Sequence, residues 1–401
     1  MPNPLNRRIG LACACLLAFG VSACDQPEDT TAPEFGNLPS QAMGVEAFDV
    51  YTQNVYLGGN TGPLFSLDFS DLSDPVKLGA IITAVNVFWL EVQNSGVPER
   101  ISAIVDEIGG RMPHMVGLQE VLQFVVLDAG TPVAVVDMLA LLEAEIQARG
   151  LPYVTEVVQP TIQSGLPMGI DPSVGNPPFN PVLAFTDREV ILRRTDVPLV
   201  PGDDATDSGQ YDAFVSFGPV EARRGWVRAT VEHGGVPYSV VSTHLEVQAL
   251  PLRPIHDAQA AQLINGVLSG LEGVTVLVGD LNSDAAAGPG APSWTPTYET
   301  LLDEGFSDVW DLSSGSRTGT GFTCCQDPSL RNGASELDQR IDFVLVRHSG
   351  HLGADRSRMP GAFWSEVVGD ELADLTNPMS LWPADHAGIM ASLRLPRGLV
   401  Q

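Results

Sequence analysis

The chain has 401 residues, 44% of them hydrophobic, and a formal net charge of -28. That is enough apolar material for a sizeable core. The charge argues against a face that grips long polyanions non-specifically, which needs clustered Lys and Arg.

In chain order the first element is a targeting segment. Arg7 and Arg8 precede an apolar run from Ile9 to Val21, too short to span a membrane comfortably. The run ends in Val21-Ser22-Ala23-Cys24, which resembles the lipobox of bacterial lipoproteins. The resemblance implies a signal peptide over 1–23, a lipid on Cys24, and export to the cell envelope with anchoring to a membrane. Residues 24–45, rich in Pro, Asp, Glu and Thr, are expected to be a flexible tether. No low-complexity linker divides 46–396, so one domain is expected there.

Phe48 to Tyr56 alternates as a strand does, and 76–93 and 98–108 have helical patterning around Asn94-Ser95-Gly96. The very apolar stretch 78–90 is read as a core helix, with a lipid-facing surface as the alternative. Met115 to Val121 is predicted as a strand, 133–149 as a helix ending at Gly150, and Tyr153 to Gln159 as a strand. A long Pro- and Gly-rich loop is expected over 160–181, then strands at 182–186 and 188–193. The acidic stretch 200–213 reads as an insertion. Strands at 225–233 and 237–244 flank a turn at Gly234-Gly235. Further on come a helix at 255–270, a buried strand at 274–280, a helix at 297–304, and strands at 341–347, 363–368 and 387–395. Hairpins mixed with helical crossovers place the chain in the α/β or α+β class, as mixed sheets with helices outside.

Polar groups recur where these apolar runs end. They are Gln53-Asn54, Leu118-Gln119-Glu120, Ser242-Thr243-His244-Leu245, Gly279-Asp280-Leu281-Asn282, Arg340-Ile341-Asp342 and Ala384-Asp385-His386. Each brings a carboxylate, amide or imidazole to the same kind of position. Asp280 and Asn282 stand two apart, so in an extended chain they would face the same way. A carboxylate can deprotonate water, and an adjacent amide can donate to a phosphoryl oxygen. Glu120 suits Mg²⁺, which prefers one or two protein carboxylates plus water. Asp342 would need a partner if buried, and His386 is the economical one.

The ordered set resembles the endonuclease/exonuclease/phosphatase superfamily over residues 46–396. The resemblance implies a four-layer α/β/β/α sandwich with two mixed β-sheets, and a Mg²⁺-dependent phosphoesterase, with Mn²⁺ as the alternative ion. It implies metal binding by Glu120, with Asn54 and Asp385 in or beside the shell. It makes Asp280 the base for the attacking water and has Asn282 hold a phosphoryl oxygen. His386, oriented by Asp342, places positive charge on the transition state, and His244 contacts phosphate or protonates the leaving group. Two departures stand out: Val55-Tyr56-Leu57-Gly58-Gly59 lacks a carboxylate that some members carry after the Asn, and Ala384 replaces a common Ser.

Acidity and the anchor favour a small or lipid-derived phosphate ester as substrate; a monomer is expected. A nuclease that degrades nucleic acid for nutrients is the second reading, kept open by Arg193-Arg194 and by Arg223, Arg224 and Arg228. A non-catalytic binding protein is the third. Cys13 and Cys15 leave with the signal, so Cys324 and Cys325 remain, as a vicinal disulfide, an intermolecular pair or free thiols. With no close His in sequence to complete a ligand set, they are placed away from the metal, and reductant is expected to leave activity unchanged.

Overall fold

The structure is a computed structural model, described here for residues 46–174, 178–217, 220–313, 319–349 and 361–396. The signal peptide, Cys24 and the tether lie outside the described residues.

The strands are β1 (Phe48–Asn54), β2 (Met115–Gln119), β3 (Gln123–Asp128), β4 (Thr131–Asp137), β5 (Tyr153–Pro167), β6 (Val182–Arg194), β7 (Thr206–Gln210), β8 (Val215–Phe217) and β9 (Val220–Ala222). They continue with β10 (Gly225–His233), β11 (Val236–His244), β12 (Val274–Asp280), β13 (Ser307–Asp308), β14 (Asp342–His348), β15 (Ala362–Val368) and β16 (Gly388–Arg394). One eight-stranded sheet runs β15-β16-β1-β2-β6-β3-β4, with β5 also paired to β6. A six-stranded sheet runs β13-β14-β12-β11-β10-β7. Each is mixed, because β1 and β2 are parallel in the first and β11 and β12 in the second, among antiparallel neighbours. The pair β8–β9 forms a separate ribbon.

The alternation of each strand decides the layers. Phe48, Val50, Met115 and Ile191 from the first sheet pack against Val227, Val231, Val276 and Val344 from the second. The opposite face of the first sheet is covered by α2 (Pro75–Asn94), α3 (Val97–Arg111) and α4 (Met138–Ala148). That of the second is covered by α5 (Arg253–Gln262), continued by a π turn over Leu263–Leu268, and by α6 (Thr297–Asp303). The result is the α/β/β/α sandwich. Two short helices, α1 (Gly62–Phe65) and α7 (Val309–Leu312), sit in connections; in this chain-order numbering α1 precedes α2 and α7 follows α6.

The sheets touch closely at Gly117, where a Cβ would meet Val278 Cγ2 at 2.7 Å and Ser242 Oγ at 2.8 Å. Beside it Gln119 Nε2 donates to Ser242 Oγ at 2.9 Å, a polar rivet between the layers. On the outside, α2 starts at Asp74, whose carboxylate accepts from Val76 N, with Pro75 at the first helical position. It gives way to α3 at Gly96, which is left-handed (φ 63°).

Three expectations change. The predicted helix over 133–149 is helical only from Met138; Thr131–Asp137 is β4, whose Asp137 accepts from Leu139 N and caps α4. The predicted loop 160–181 starts as strand, because β5 runs on to Pro167 along β6, with register shifts at Thr155/Val157 and Pro160/Gln163; the loop proper begins after Pro167. The two strands at 182–186 and 188–193 are one, since Asp187 and Glu189 are buried within β6 instead of marking a turn.

Candidate active site

Strand register gathers the polar ends. In the second sheet His244 lies opposite Asp280, and Asp280 opposite Asp342, a single row across β11, β12 and β14. In the first, Asn54 lies opposite Gln119, which sets Glu120 at the rim beside it. β16 pairs with β1 so that Gln53 Nε2 donates to His386 O at 3.1 Å.

Gly279 is required in this row. Its φ is 124°, and a Cβ there would stand 2.1 Å from Thr243 O. Asp280 and Asn282 converge, but not by pleat alternation as expected. Asn282 is left-handed (φ 46°), and its N–H donates to Asp280 Oδ1 at 2.9 Å, so a turn swings the amide back towards the carboxylate. Glu120 is also left-handed (φ 58°), an unusual conformation for a residue with a long side chain, and Leu57 N donates to its Oε2 at 2.9 Å.

Asp280 is the hub. Its Oδ2 accepts from Asn54 Nδ2 at 3.3 Å and lies 3.4 Å from His244 Nε2 and 3.9 Å from His386 Nε2. Burial, and then the charge of Asp342, push its pKa up to about 7. His386 Nδ1 is 2.9 Å from Asp342 Oδ2. Burial opposes charge on His386, but Asp342, with Asp385 and Asp280 behind it, outweighs that and holds the imidazole well above its ordinary value.

His244 goes the other way. Burial, then Arg224, hold it well below the ordinary value, so it is neutral. Arg224 Nη1 is 3.0 Å from His244 Nδ1, and a guanidinium only donates, so Nδ1 accepts and the single ring proton sits on Nε2, facing Asp280. The 3.2 Å approach of Asn282 Nδ2 to that nitrogen is then a contact, and Asn282 Nδ2 donates instead to Leu245 O at 2.9 Å.

Asp280, Asp342 and His386 bring one ligand atom each within 4.8 Å of one another. The residues expected to hold a metal stand next to this group. Glu120 and Asp385 are the half-buried members, and Asn54 is buried. Burial raises both carboxyls, Asp385 to about 7, and the charge of Glu120 adds to the rise in Asp385. Asp385 Oδ1 is buried without a hydrogen-bond partner. Two carboxylates and an amide, one with an oxygen left over, are a donor set that fits a hard divalent cation with water completing its shell.

Sequence reading missed the support behind this set. Asp187 and Glu189 on β6 are buried, with Arg224 Nη1 3.9 Å from Asp187 Oδ2 and Nη2 3.5 Å from Glu246 Oε1. Arg100, in α3, is fully buried and donates to four carbonyls: Ser95 at 2.9 Å, Val55 at 2.8 Å, Tyr56 at 3.3 Å and Pro383 at 3.2 Å. It ties the loop after Asn54 to the loop before Asp385. The cysteines also fall elsewhere than expected. Cys324 and Cys325 form a vicinal disulfide, and with His386 they make a second cluster whose ligand atoms lie within 4.8 Å of one another. The turn that carries them crosses in space to a histidine far along the chain, which spacing alone does not show.

Two mixed sheets packed face to face, helices outside, and polar groups at one set of strand ends define the sandwich of endonuclease/exonuclease/phosphatase proteins. Solved structures agree. The chain is similar to an endonuclease/exonuclease/phosphatase family protein from Leptotrichia buccalis C-1013-b (TM-score 0.51, 13% identity, 87% of this chain and 100% of that one). It is similar to the endonuclease/exonuclease/phosphatase from Beutenbergia cavernae DSM 12333 (TM-score 0.52, 19% identity, 87% of this chain and 72% of that one). A family protein from Bacteroides thetaiotaomicron matches at TM-score 0.51 and 13% identity, over 90% of this chain and 99% of its own. At these identities the likeness is one of fold. No family model and no curated protein matches the sequence.

Proposed function

We propose that this chain is an exported, lipid-anchored, Mg²⁺-dependent phosphoesterase that hydrolyses a small or lipid-derived phosphate ester by in-line attack of water. The observation that carries the reading is the convergence on Asp280 of Asn54, neutral His244 and the His386–Asp342 pair. A carboxylate raised to about 7 can take a proton from water and release it near neutral pH. Asn282 Nδ2 spends one hydrogen on Leu245 O and has a second for a phosphoryl oxygen, Nε2–H of His244 faces Asp280 until a phosphoryl or leaving-group oxygen takes that place, and the His386 imidazolium offsets charge that builds on these oxygens. A divalent cation at Glu120, Asn54 and Asp385 would polarise the phosphoryl group as a Lewis acid.

Two features support a small or lipid-derived substrate over nucleic acid. The arginine clusters are spoken for: Arg193 pairs with Glu156 at 2.7 Å, Arg194 with Asp196 at 2.6 Å, Arg223 with Glu221 at 2.9 Å and Arg228 with Asp207 at 3.5 Å. The outer face of α2 exposes Val76, Val87 and Leu90 among its polar residues, and beside Asn60, Thr83 and Phe88 it borders a groove of about 400 Å³. Among the described residues α2 is the one helix apolar and long enough to pass for a membrane span, yet only 33% of that stretch is buried.

The test is chelator-sensitive product release by residues 25–401 from plasmid DNA, sphingomyelin vesicles, a soluble inositol phosphate and an aryl phosphodiester, with Asp280→Ala as control. Metal-dependent turnover that is lost in the variant is expected. Turnover of none by folded protein, or equal turnover by the variant, would sink the reading. Preference for DNA would move the assignment to a nuclease.

A further inference from the structure

The disulfide is built into the segment that holds the His386–Asp342 pair. Cys324 is buried and Cys325 is exposed. Around them the backbone bonds run to both partners of that pair. Cys324 forms antiparallel bridges with His386 and with Gln339. Thr323 O accepts from Ala387 N at 2.7 Å, and Gln326 N donates to Asp385 O at 2.8 Å. Thr323 Oγ1 accepts from Asp342 N at 3.1 Å and Ile341 N at 3.3 Å. Cys324 O accepts from Asp338 N at 2.7 Å and Gln339 N at 2.9 Å. The turn is thus a strut between the strand that begins at Asp342 and the segment that carries Asp385 and His386.

We propose that Cys324–Cys325 is a thiol-exchange site whose opening loosens this strut and displaces His386 from Asp280 and Asp342. The inference rests on the reading of His386 as part of the reacting machinery. A small external thiolate attacks Sγ of exposed Cys325. The S–S bond breaks, Cys324 leaves as the thiolate, and Cys325 carries a mixed disulfide. A second external thiolate attacks the external sulfur, so that Cys325 also leaves as thiolate and the two external thiols depart joined as a disulfide. The protein gains two electrons and, on protonation, two hydrogens. The cysteines are positioning residues here, because they act through the backbone on His386.

The test exposes the full chain to graded glutathione, with intact mass reporting opening of the bond. Two readouts follow: hydrogen exchange at the amides of Gln326 and Ala387, and kcat and KM for a soluble aryl phosphodiester with Mg²⁺. Opening is expected to speed exchange at both amides about tenfold or more, and to lower kcat by up to about 100-fold, the scale of a roughly 1 Å misplacement, with KM little changed. Reoxidation should restore both. A Cys324→Ser, Cys325→Ser double variant should sit at the opened level and ignore glutathione. A bond that glutathione leaves closed, an opened bond with unchanged exchange and kcat, or a double variant with wild-type kcat would each overturn the proposal. If the oxidised protein turns over no diester, the phosphoesterase reading fails, while exchange still decides whether the disulfide holds the strut.

Discussion

Replacement of Asp342 by Asn tests the site at its most specific bond. Asp342 is fully buried, and its Oδ2 is 2.9 Å from His386 Nδ1, which donates to it. An amide of the same shape keeps the volume and removes the charge. A hydrogen bond to a charged group contributes about 1.5–3 kcal/mol. At about 1.36 kcal/mol per decade of rate, its loss should lower kcat by roughly tenfold to 150-fold. The substitution has a second, directional consequence. Asp342 is the largest of the influences that raise the His386 pKa against burial, so without it the imidazolium should discharge at lower pH. The alkaline limb of the kcat profile should move towards neutrality. Steady-state kinetics across pH, with circular dichroism to verify folding, would measure both. A folded Asp342→Asn protein with wild-type kcat and an unmoved alkaline limb would refute the role of the pair.

Gly117→Ala should destabilise the fold by about 1–3 kcal/mol, as overpacking does, because its Cβ meets Val278 and Ser242 below 3 Å; urea unfolding with an unchanged m-value would report it. In chelator, thermal stability should fall as pH rises from about 5 to about 8. Asp280 and Asp385 titrate near 7 in the folded chain, against about 3.9 unfolded, so only the folded state holds these protons between those values; the stabilisation drains over that interval and is gone once pH passes the folded values. His386, raised, adds the same sign above its unfolded value, whereas depressed His244 opposes it only below about 6.5. Saturating Mg²⁺ should lessen the fall, and a melting temperature that climbs with pH in chelator would contradict the assignment of these shifts.

The strand ends were legible because each apolar run is bounded by a polar residue, at the end of β1, β2, β11 and β12, at the start of β14 and just ahead of β16, a pattern that burial of one sheet face imposes locally. Register then did what no local signal announces, aligning His244, Asp280 and Asp342 in one row. The hidden parts are those where tertiary partners reverse a local preference. Asp187-Arg188-Glu189 interrupts a hydrophobic run and so resembles a turn, yet β6 carries it through the sandwich because Arg224, from the connection leading into β10, offsets the buried charge. Arg100 occupies a helix position that composition would assign to solvent, and it becomes internal only because two loops present it with carbonyls. In the segment over 133–149, Val133, Val135 and Val136 favour a strand, and their stretch pairs in a hairpin with β3, while the helix-forming residues begin at Met138.

The Arg100 staple and the β1–β16 pairing also make the site depend on both ends of the domain. Asn54 and Glu120 come from the first third of the chain, His244, Asp280 and Asn282 from its middle, and Asp342, Asp385 and His386 from its last part, while Arg100 grips carbonyls at Val55 and Pro383. A polypeptide that lacks Asp385 and His386 leaves Asp342 without its imidazole partner and removes one of the two carboxylates expected to hold a metal, so its site is incomplete. The polar cluster is complete only where β16 pairs with β1 and the segment before it brings in Asp385 and His386.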